Sequence, residues 1–326
     1  MLDWRKFFKR RQNWLALFLV GSFFFVALAA PWLAPPDDPA NPPPFKGVGR
    51  TFDRLPQAPN EESPLGTVGQ LANLARFGFT PGQDRFEQWD VWYTLVWGTR
   101  SALKFGLIVT LTSATLGILV GIIAGYAGGV INQSLMLVTD AFLTFPVIAA
   151  VWLFQRVLYT RLYNPFVLPE ELVYWEQFLL RLDIDPIMLA MIVFSWMPYA
   201  RLVNGMVIQQ KHADYITAAH AMGAHSWRII WRHLLPNAIS PAVVFGARDV
   251  GSSVILATAF IFIGFAGSVT WGVMLVAARD YVIGLSGNPF AYWWTFIPIS
   301  LGLILFGVGW NLLGDGLNDL LNPRTR

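Results

Sequence analysis

The chain has 326 residues, of which 55% are hydrophobic and only 13% are charged. Soluble domains carry about 25% charged residues, so this composition points to lipid rather than to a water-soluble domain. A formal charge of +3 is too small to direct the chain to nucleic acid, and the absence of cysteine excludes disulfides and thiolate metal sites.

The N-terminal residues 1–12 form a basic tail, with Arg5, Lys6, Lys9, Arg10 and Arg11 against Asp3. The first apolar window follows at residues 14–33, close to the roughly 20 residues that a hydrocarbon core requires. It is too long for a signal peptide, and Pro31, Pro35 and Pro36 close it without a small-residue cleavage site, so residues 13–33 are predicted as a transmembrane helix. Residues 34–102 are then a long loop. Its opening part, 34–63, is rich in Pro, Asn and Asp and reads as an extended connector. Five more windows qualify as spans at residues 103–127, 135–158, 187–207, 238–265 and 293–313, making a five-helix core over 103–313 with a tail at 314–326. The predicted fold is therefore an all-α integral membrane protein of six transmembrane helices. Fifteen Trp and nine Tyr suit the two headgroup layers.

Lys and Arg near span ends set the orientation. The basic leader places the N-terminus in the cytoplasm, and six crossings return Arg324 and Arg326 to the same side. The loop 208–237, with Lys211, Arg228 and Arg232, is also cytoplasmic on this reading. The loop 34–102 holds six basic residues, but long loops translocate largely regardless of charge. A second outer excursion, 159–185, carries Glu170, Glu171, Glu176, Asp183 and Asp185 with Tyr163, Tyr174 and Trp175 among them. It reads either as an interfacial helix on the outer leaflet or as a docking face for an external partner.

The loop between spans four and five is the most informative stretch. Asp214 is placed to cap a short helix running to Met222, and Gly223 stands where a left-handed residue would end it. Ser226 then opens a second helix to Leu235, where Pro236 stops it. Trp227 and Trp231 share one face of that helix, as do Arg228 and Arg232. The first helix is rich in alanine, so another protein's backbone could approach it closely. That is the shape of a knob for a soluble partner's socket.

This loop resembles the coupling motif of binding-protein-dependent ABC importers, Glu-Ala-Ala, three residues, Gly, then about nine residues before Leu-Pro. Here those positions are Thr217, Ala218, Ala219, Gly223, Leu235 and Pro236. The Asn237 that follows is similar to the dipeptide/oligopeptide/nickel branch, as are Ser63-Pro64-Leu65-Gly66-Thr67, Gly98-Thr99-Arg100-Ser101, Gly125-Tyr126-Ala127-Gly128-Gly129 and Asp140 with Phe145-Pro146. Trp271-Gly272-Val273-Met274-Leu275 and the ending Asn311-Leu312-Leu313-Gly314-Asp315-Gly316-Leu317 extend the likeness over residues 63–323. The ending and the single span before a moderate outer loop resemble the second of that branch's two permease subunits. The resemblance implies an ATPase-coupling surface at Asp214, Tyr215, Thr217, Ala218, Ala219, His220, Gly223, Ala224, Leu235 and Pro236. It further implies a second permease, two ATPase subunits or domains, an extracytoplasmic binding protein, and the cytoplasmic membrane of a prokaryote. Thr217 replaces the motif's acid, His220 stands where Arg is common, and span five has Ala257 or Thr258 where a glutamate is common. Residues 68–95 and 159–185 look like insertions and leave the solute open.

No Gly-x-x-x-x-Gly-Lys-Ser/Thr occurs, so ATP and Mg are expected on partner subunits and no cofactor on this chain. His212, His220, His225 and His233 fall within 22 residues, but none is paired at the i, i+4 spacing of a helical metal site, so no metal is expected. Asp140, Arg248 and Asp249 lie inside spans and must face protein or water, as path-lining groups or as internal partners. Asn204 and Asn311 are expected to bond between helices, and Gly117, Gly121 and Gly125 to mark a close helix contact. The resulting expectation is a non-catalytic half-pore of an ATP-driven importer for peptides or a similar small solute, working by alternating access. An ion-coupled carrier would need paired ionisable residues on broken helices, and only Asp140, Arg248 and Asp249 are available. A membrane enzyme would need an acid–base or metal pair that no span supplies.

Overall fold

Composition dictates the architecture: with so much apolar sequence, backbone groups must be satisfied within helices. The computed structural model of the chain describes residues 4–51, 55–71, 86–162, 172–182, 184–283, 288 and 290–321. The expected acids Glu170, Glu171 and Asp183, the aromatic Tyr163, the basic ends Arg324 and Arg326, and residues 72–85 of the insertion at 68–95 lie outside the described residues. Among those described, five helices or helix pairs are long and apolar enough to cross a membrane, and one pair bent by 87° makes up to six crossings. The chain is an all-α integral membrane protein.

A short helix α1 (Trp4–Lys9) leads into α2 (Arg11–Leu33), the first span. The loop that follows is not wholly extended. Strands β1 (Gly47–Thr51), β2 (Thr67–Leu71) and β3 (Phe86–Asp90) form an antiparallel sheet in the order β1-β3-β2, with Val68 opposite Trp89. Trp89 stacks on Phe45 at 4.1 Å, which fixes the connector against the sheet.

The helix that carries the second span begins well before residue 103. Helix α3 (Val91–Ala127) starts at Val91 because the Asp90 carboxylate accepts hydrogen bonds from the Trp92 and Tyr93 amides, at 2.8 and 3.4 Å. Burial pushes the Asp90 carboxyl up from its ordinary value, while those amides and Lys46 pull it down. Residues 91–102 are thus helix rather than loop. Apolarity located the span, but its start is a capping event. Thirty-seven residues make a rod of roughly 55 Å, against about 30 Å of hydrocarbon, so α3 projects beyond the membrane.

The third window is broken. Helix α4 (Gly129–Thr144) ends at Phe145, whose ψ of 135° is extended, and α5 (Val147–Leu162) leaves at 87°. Pro146 explains the break, since a residue before proline is driven out of the helical region and the proline has no N–H to donate. Helix α6 (Tyr174–Arg181) is held back onto α5 by its buried Glu176, which accepts from Arg161 at 3.2 Å.

Helices α7 (Pro186–Ser195) and α8 (Met197–Lys211) make the fourth span, opened by Asp185 accepting from the Met188 amide at 2.6 Å. Helix α8 lies against α3 through the glycines expected to mark a close approach. A Cβ on Gly121 would sit 2.6 Å from the Ala200 carbonyl oxygen, and one on Gly125 2.8 Å from Val207. Neither position admits a side chain without parting the helices.

After the loop between spans four and five comes α12 (Ser240–Phe262), the fifth span. Helix α13 (Thr270–Ile283) follows between the fifth and sixth apolar windows, and at 14 residues it is too short to cross. It is tied to the sheet by Tyr281, whose hydroxyl donates to the Gly69 carbonyl at 2.9 Å. The last helix, α14 (Ile297–Leu321), continues into the expected tail 314–326. The N-terminus explains the extension: Gly316 packs against Phe7 and Asn13, and Arg10 pairs with Asp319. The α1–α2 junction and the end of α14 therefore meet on one side.

Candidate coupling loop and charged pairs of the spans

The loop between α8 and α12 is helical nearly throughout. Helix α9 (Asp214–Ala221) opens after Ala213, whose ψ of 146° is extended. Asp214, expected as the cap, is instead the first helical residue, where its charge still favours the N-terminal dipole. The helix ends as the sequence predicts. Gly223 has φ +76°, its amide donates to the His220 carbonyl at 2.9 Å, and the Ala224 amide reaches back to Ala219 at 3.0 Å. This pair of bonds is the Schellman closure, and the left-handed residue it needs is cheapest as glycine.

The second helix differs from expectation at both ends. Its cap is His225, whose Nδ1 accepts from the Trp227 amide at 3.3 Å, so Ser226 is the first helical residue of α10 (Ser226–Ile229). Pro236 does not stop the chain. A π-helical turn (Ile230–Leu234) carries it into α11 (Leu235–Ala238), with the Leu235 amide donating to the Ile230 carbonyl. The wider turn accommodates a proline that lacks an N–H and crowds the carbonyl four residues back. Asn237 adds a side-chain bond to the His233 carbonyl at 2.8 Å.

These pieces sort the expected coupling residues by face. Ile216, fully buried, and Ala219 point inward and join Ile229 and Leu234 in one apolar cluster with Ile122 of α3 and Tyr199, Val203 and Val207 of α8. Burying an isoleucine side chain is worth about 1.5–3 kcal/mol, so Ile216 seats α9 firmly on the spans. Ala219 was expected on the outward surface and is not there. Of the leucines at the motif's end, Leu234 is the buried one, and Leu235 is half-buried. Asp214, Tyr215, Thr217, Ala218, His220, Gly223 and Pro236 are exposed, and Ala224 is half-buried. Trp227 and Trp231 lie together with ring centroids 5.2 Å apart, as their spacing requires. At the base of the loop, Lys211 donates to the Tyr126 carbonyl at 2.6 Å, fastening the end of α8 to the end of α3. Among the described residues, no group of three or more His, Asp or Glu is placed to hold a metal.

The three charged residues singled out within the spans each find a partner on another helix. Asp140 of α4 pairs with Arg201 of α8, and Arg248 of α12 pairs with Asp315 of α14. Asp249 accepts from the Tyr199 hydroxyl at 2.8 Å, joining α12 to α8. Asn204 bonds between helices as expected, donating to Asn132 at 2.6 Å. Asn311 does not; it donates to the Gly307 carbonyl of its own helix at 2.9 Å. Arg201 and Tyr199 were passed over in the sequence, although a lone arginine within an apolar window is itself a signal.

Ile216 and Ala219 thus hold α9 against the spans, with Thr217, Ala218 and His220 on its open face. Comparison with known proteins decides the class. The family described as binding-protein-dependent transport system inner membrane component matches residues 117–326. The chain belongs to this family. A second match, the N-terminal TM domain of oligopeptide transport permease C, covers residues 3–46 of this permease. It is 28% identical to a glutathione transport system permease protein of Pectobacterium atrosepticum, over 99% of this chain and 92% of that one. It is 27% identical to a dipeptide transport system permease protein of Alkalihalophilus pseudofirmus, over 99% and 90%. A nickel transport system permease protein of Escherichia coli is 26% identical, over 95% and 93%. The chain is thus a multi-pass inner-membrane permease subunit of an ATP-driven, binding-protein-dependent importer, and not its catalytic component.

Proposed function

We propose that this permease forms half of a solute path with a second permease, and that α9 carries the closure of two ATPase subunits or domains into the spans. The observation behind this reading is the form of α9. Thr217, Ala218 and His220 are exposed on a helix whose other face, Ile216 and Ala219, is buried against the bundle. A rigidly seated helix transmits a push, and small side chains on its open face allow a partner's backbone to come close. ATP and Mg belong to those partners, since this chain has no phosphate-cradling loop. The solute is a peptide or similar small molecule handed over by an extracytoplasmic binding protein; the glutathione, dipeptide and nickel systems of its relatives support that class. Both termini lie in the cytoplasm, in keeping with the basic leader.

The test is Ala218→Arg, on the exposed face, beside Ile216→Ala, on the buried one. Ala218→Arg is expected to leave the complex in the membrane with ATP hydrolysis intact while solute uptake falls. Ile216→Ala is expected to cost about 2–5 kcal/mol of stability as well. Coupled transport at the normal rate in Ala218→Arg would remove α9 from the mechanism.

A further inference from the structure

The sheet end of the bundle holds a cavity of about 800 Å³, far from the coupling loop. That is within the range of small-molecule sites, and large enough for a short peptide. Its walls come from three places in the sequence: the proline run Pro42–Pro44, the first turns of α3, and the turn between α12 and α13. Each wall is pinned. The Pro43 carbonyl accepts from the Tyr93 hydroxyl at 2.8 Å, and the Ser101 hydroxyl accepts from the Thr270 amide at 3.3 Å.

Arg100 and Lys104, one helical turn apart, both line this cavity. Lys104 has polar company of its own, but Arg100 makes no hydrogen bond or ion pair among the described residues. Its guanidinium lies over the Trp97 ring, 5.6 Å from the centroid. A cation–π contact of this kind engages the ring's π face and does not use up the guanidinium's N–H donors. A guanidinium so placed matches a carboxylate, which it can bind through two parallel hydrogen bonds.

We propose that Arg100 is the recognition group of an outer vestibule that takes the free carboxylate of a small solute, a peptide C-terminus above all, before it enters the spans. This rests on the import reading and on the sheet end facing outward. A phosphate on a lipid headgroup offers related chemistry, since Arg100 and Lys104 precede the uncharged stretch 105–127 that occupies hydrocarbon. A lipid there would also need an apolar groove for its chains. The vestibule's lining is polar and proline-rich, with Trp97 its one aromatic among the described residues, and the cavity lined by Phe23, Val26 and Leu301 lies elsewhere.

The experiment uses the assembled transporter in phosphatidylcholine nanodiscs, treated with the arginine reagent phenylglyoxal, with modification of Arg100 followed by mass spectrometry. Alanyl-alanine is expected to slow that modification several-fold, and its C-terminal amide to leave the rate unchanged. Equal rates with both probes overturn the proposal. Protection by phosphatidylglycerol with no further effect of alanyl-alanine assigns the site to lipid, and protection by assembly alone assigns it to a protein partner; either result also overturns it. Arg100→Gln is expected to assemble normally and to abolish the difference between the two probes in stimulating ATP hydrolysis; a persisting difference counts against the proposal. Failure of the import reading looks different: Arg100 is protected, yet no ATPase co-purifies.

Discussion

Asp140 and Arg201 meet between α4 and α8 with 40% and 52% of their side chains exposed in the isolated chain. Charge at that depth cannot face lipid, so this side of the pair belongs against water or another protein. The pair also explains why Asp140 is tolerated within an apolar window, which the aspartate's position alone could not do. Asp140→Asn leaves Arg201 without its counter-charge, and Arg201→Gln does the same to Asp140. Each is expected to lower the melting temperature in detergent, and the double variant is expected to lose less than the sum. The shortfall should be about 0.5–3 kcal/mol, the usual coupling of residues in direct contact. Strict additivity would mean that the two groups do not act as a pair. Arg248 likewise pairs with Asp315 and Asp249 with Tyr199, so each of the three charges singled out in the sequence links two helices.

At the scale of elements, the break in the third span follows from a single residue. With Pro146 in place, α4 and α5 stand at 87°, and their exposed Leu137 and Leu153 lie on different arms. Pro146→Ala restores the missing N–H and is expected to let the arms straighten. Because the chain has no cysteine, spin labels at Leu137→Cys and Leu153→Cys report only on this pair. Sixteen residues of straight helix span roughly 24 Å, against roughly 17 Å around a right angle, so the distance distribution should shift outward. An unchanged distribution would show that packing, not proline, holds the bend. Phe145-Pro146 was legible as a motif, but not as a break, because hydropathy is blind to direction. The same limit recurs elsewhere. Apolar windows located the spans but not their ends, which Asp90 and the α1–α14 contact determine. Spacing gave the Trp227–Trp231 face and the Gly223 closure, both local to one helix. It misassigned Ala219, because which face of a short alanine-rich helix is buried depends on α3 and α8, distant in sequence. The Asp140–Arg201 pairing was beyond reach for the same reason.

The whole molecule divides into two ends joined by α3. At one end the sheet, α13 and the vestibule gather around Val68, Trp89 and Tyr281; at the other, α9 to α11 gather around Ile216, Ile229 and Leu234. Helix α3 reaches both, through Gly98 against Trp271 near one end and Gly125 against Val207 near the other. Side chains at those glycines would part α3 from its neighbours. The proposed direction of transport then depends on which end faces the cytoplasm. The proposal that the α9 end lies inside rests on the basic leader and on the loop 208–237. Single cysteines at Asn41, beside the vestibule, and at Thr217, on α9, test this in whole cells. A membrane-impermeant maleimide is expected to label Asn41→Cys directly and Thr217→Cys only after the membrane is permeabilised. The opposite pattern would place α9 outside, out of reach of any ATPase that uses cytoplasmic ATP, and would refute both the coupling role of the loop and the outer position of the vestibule.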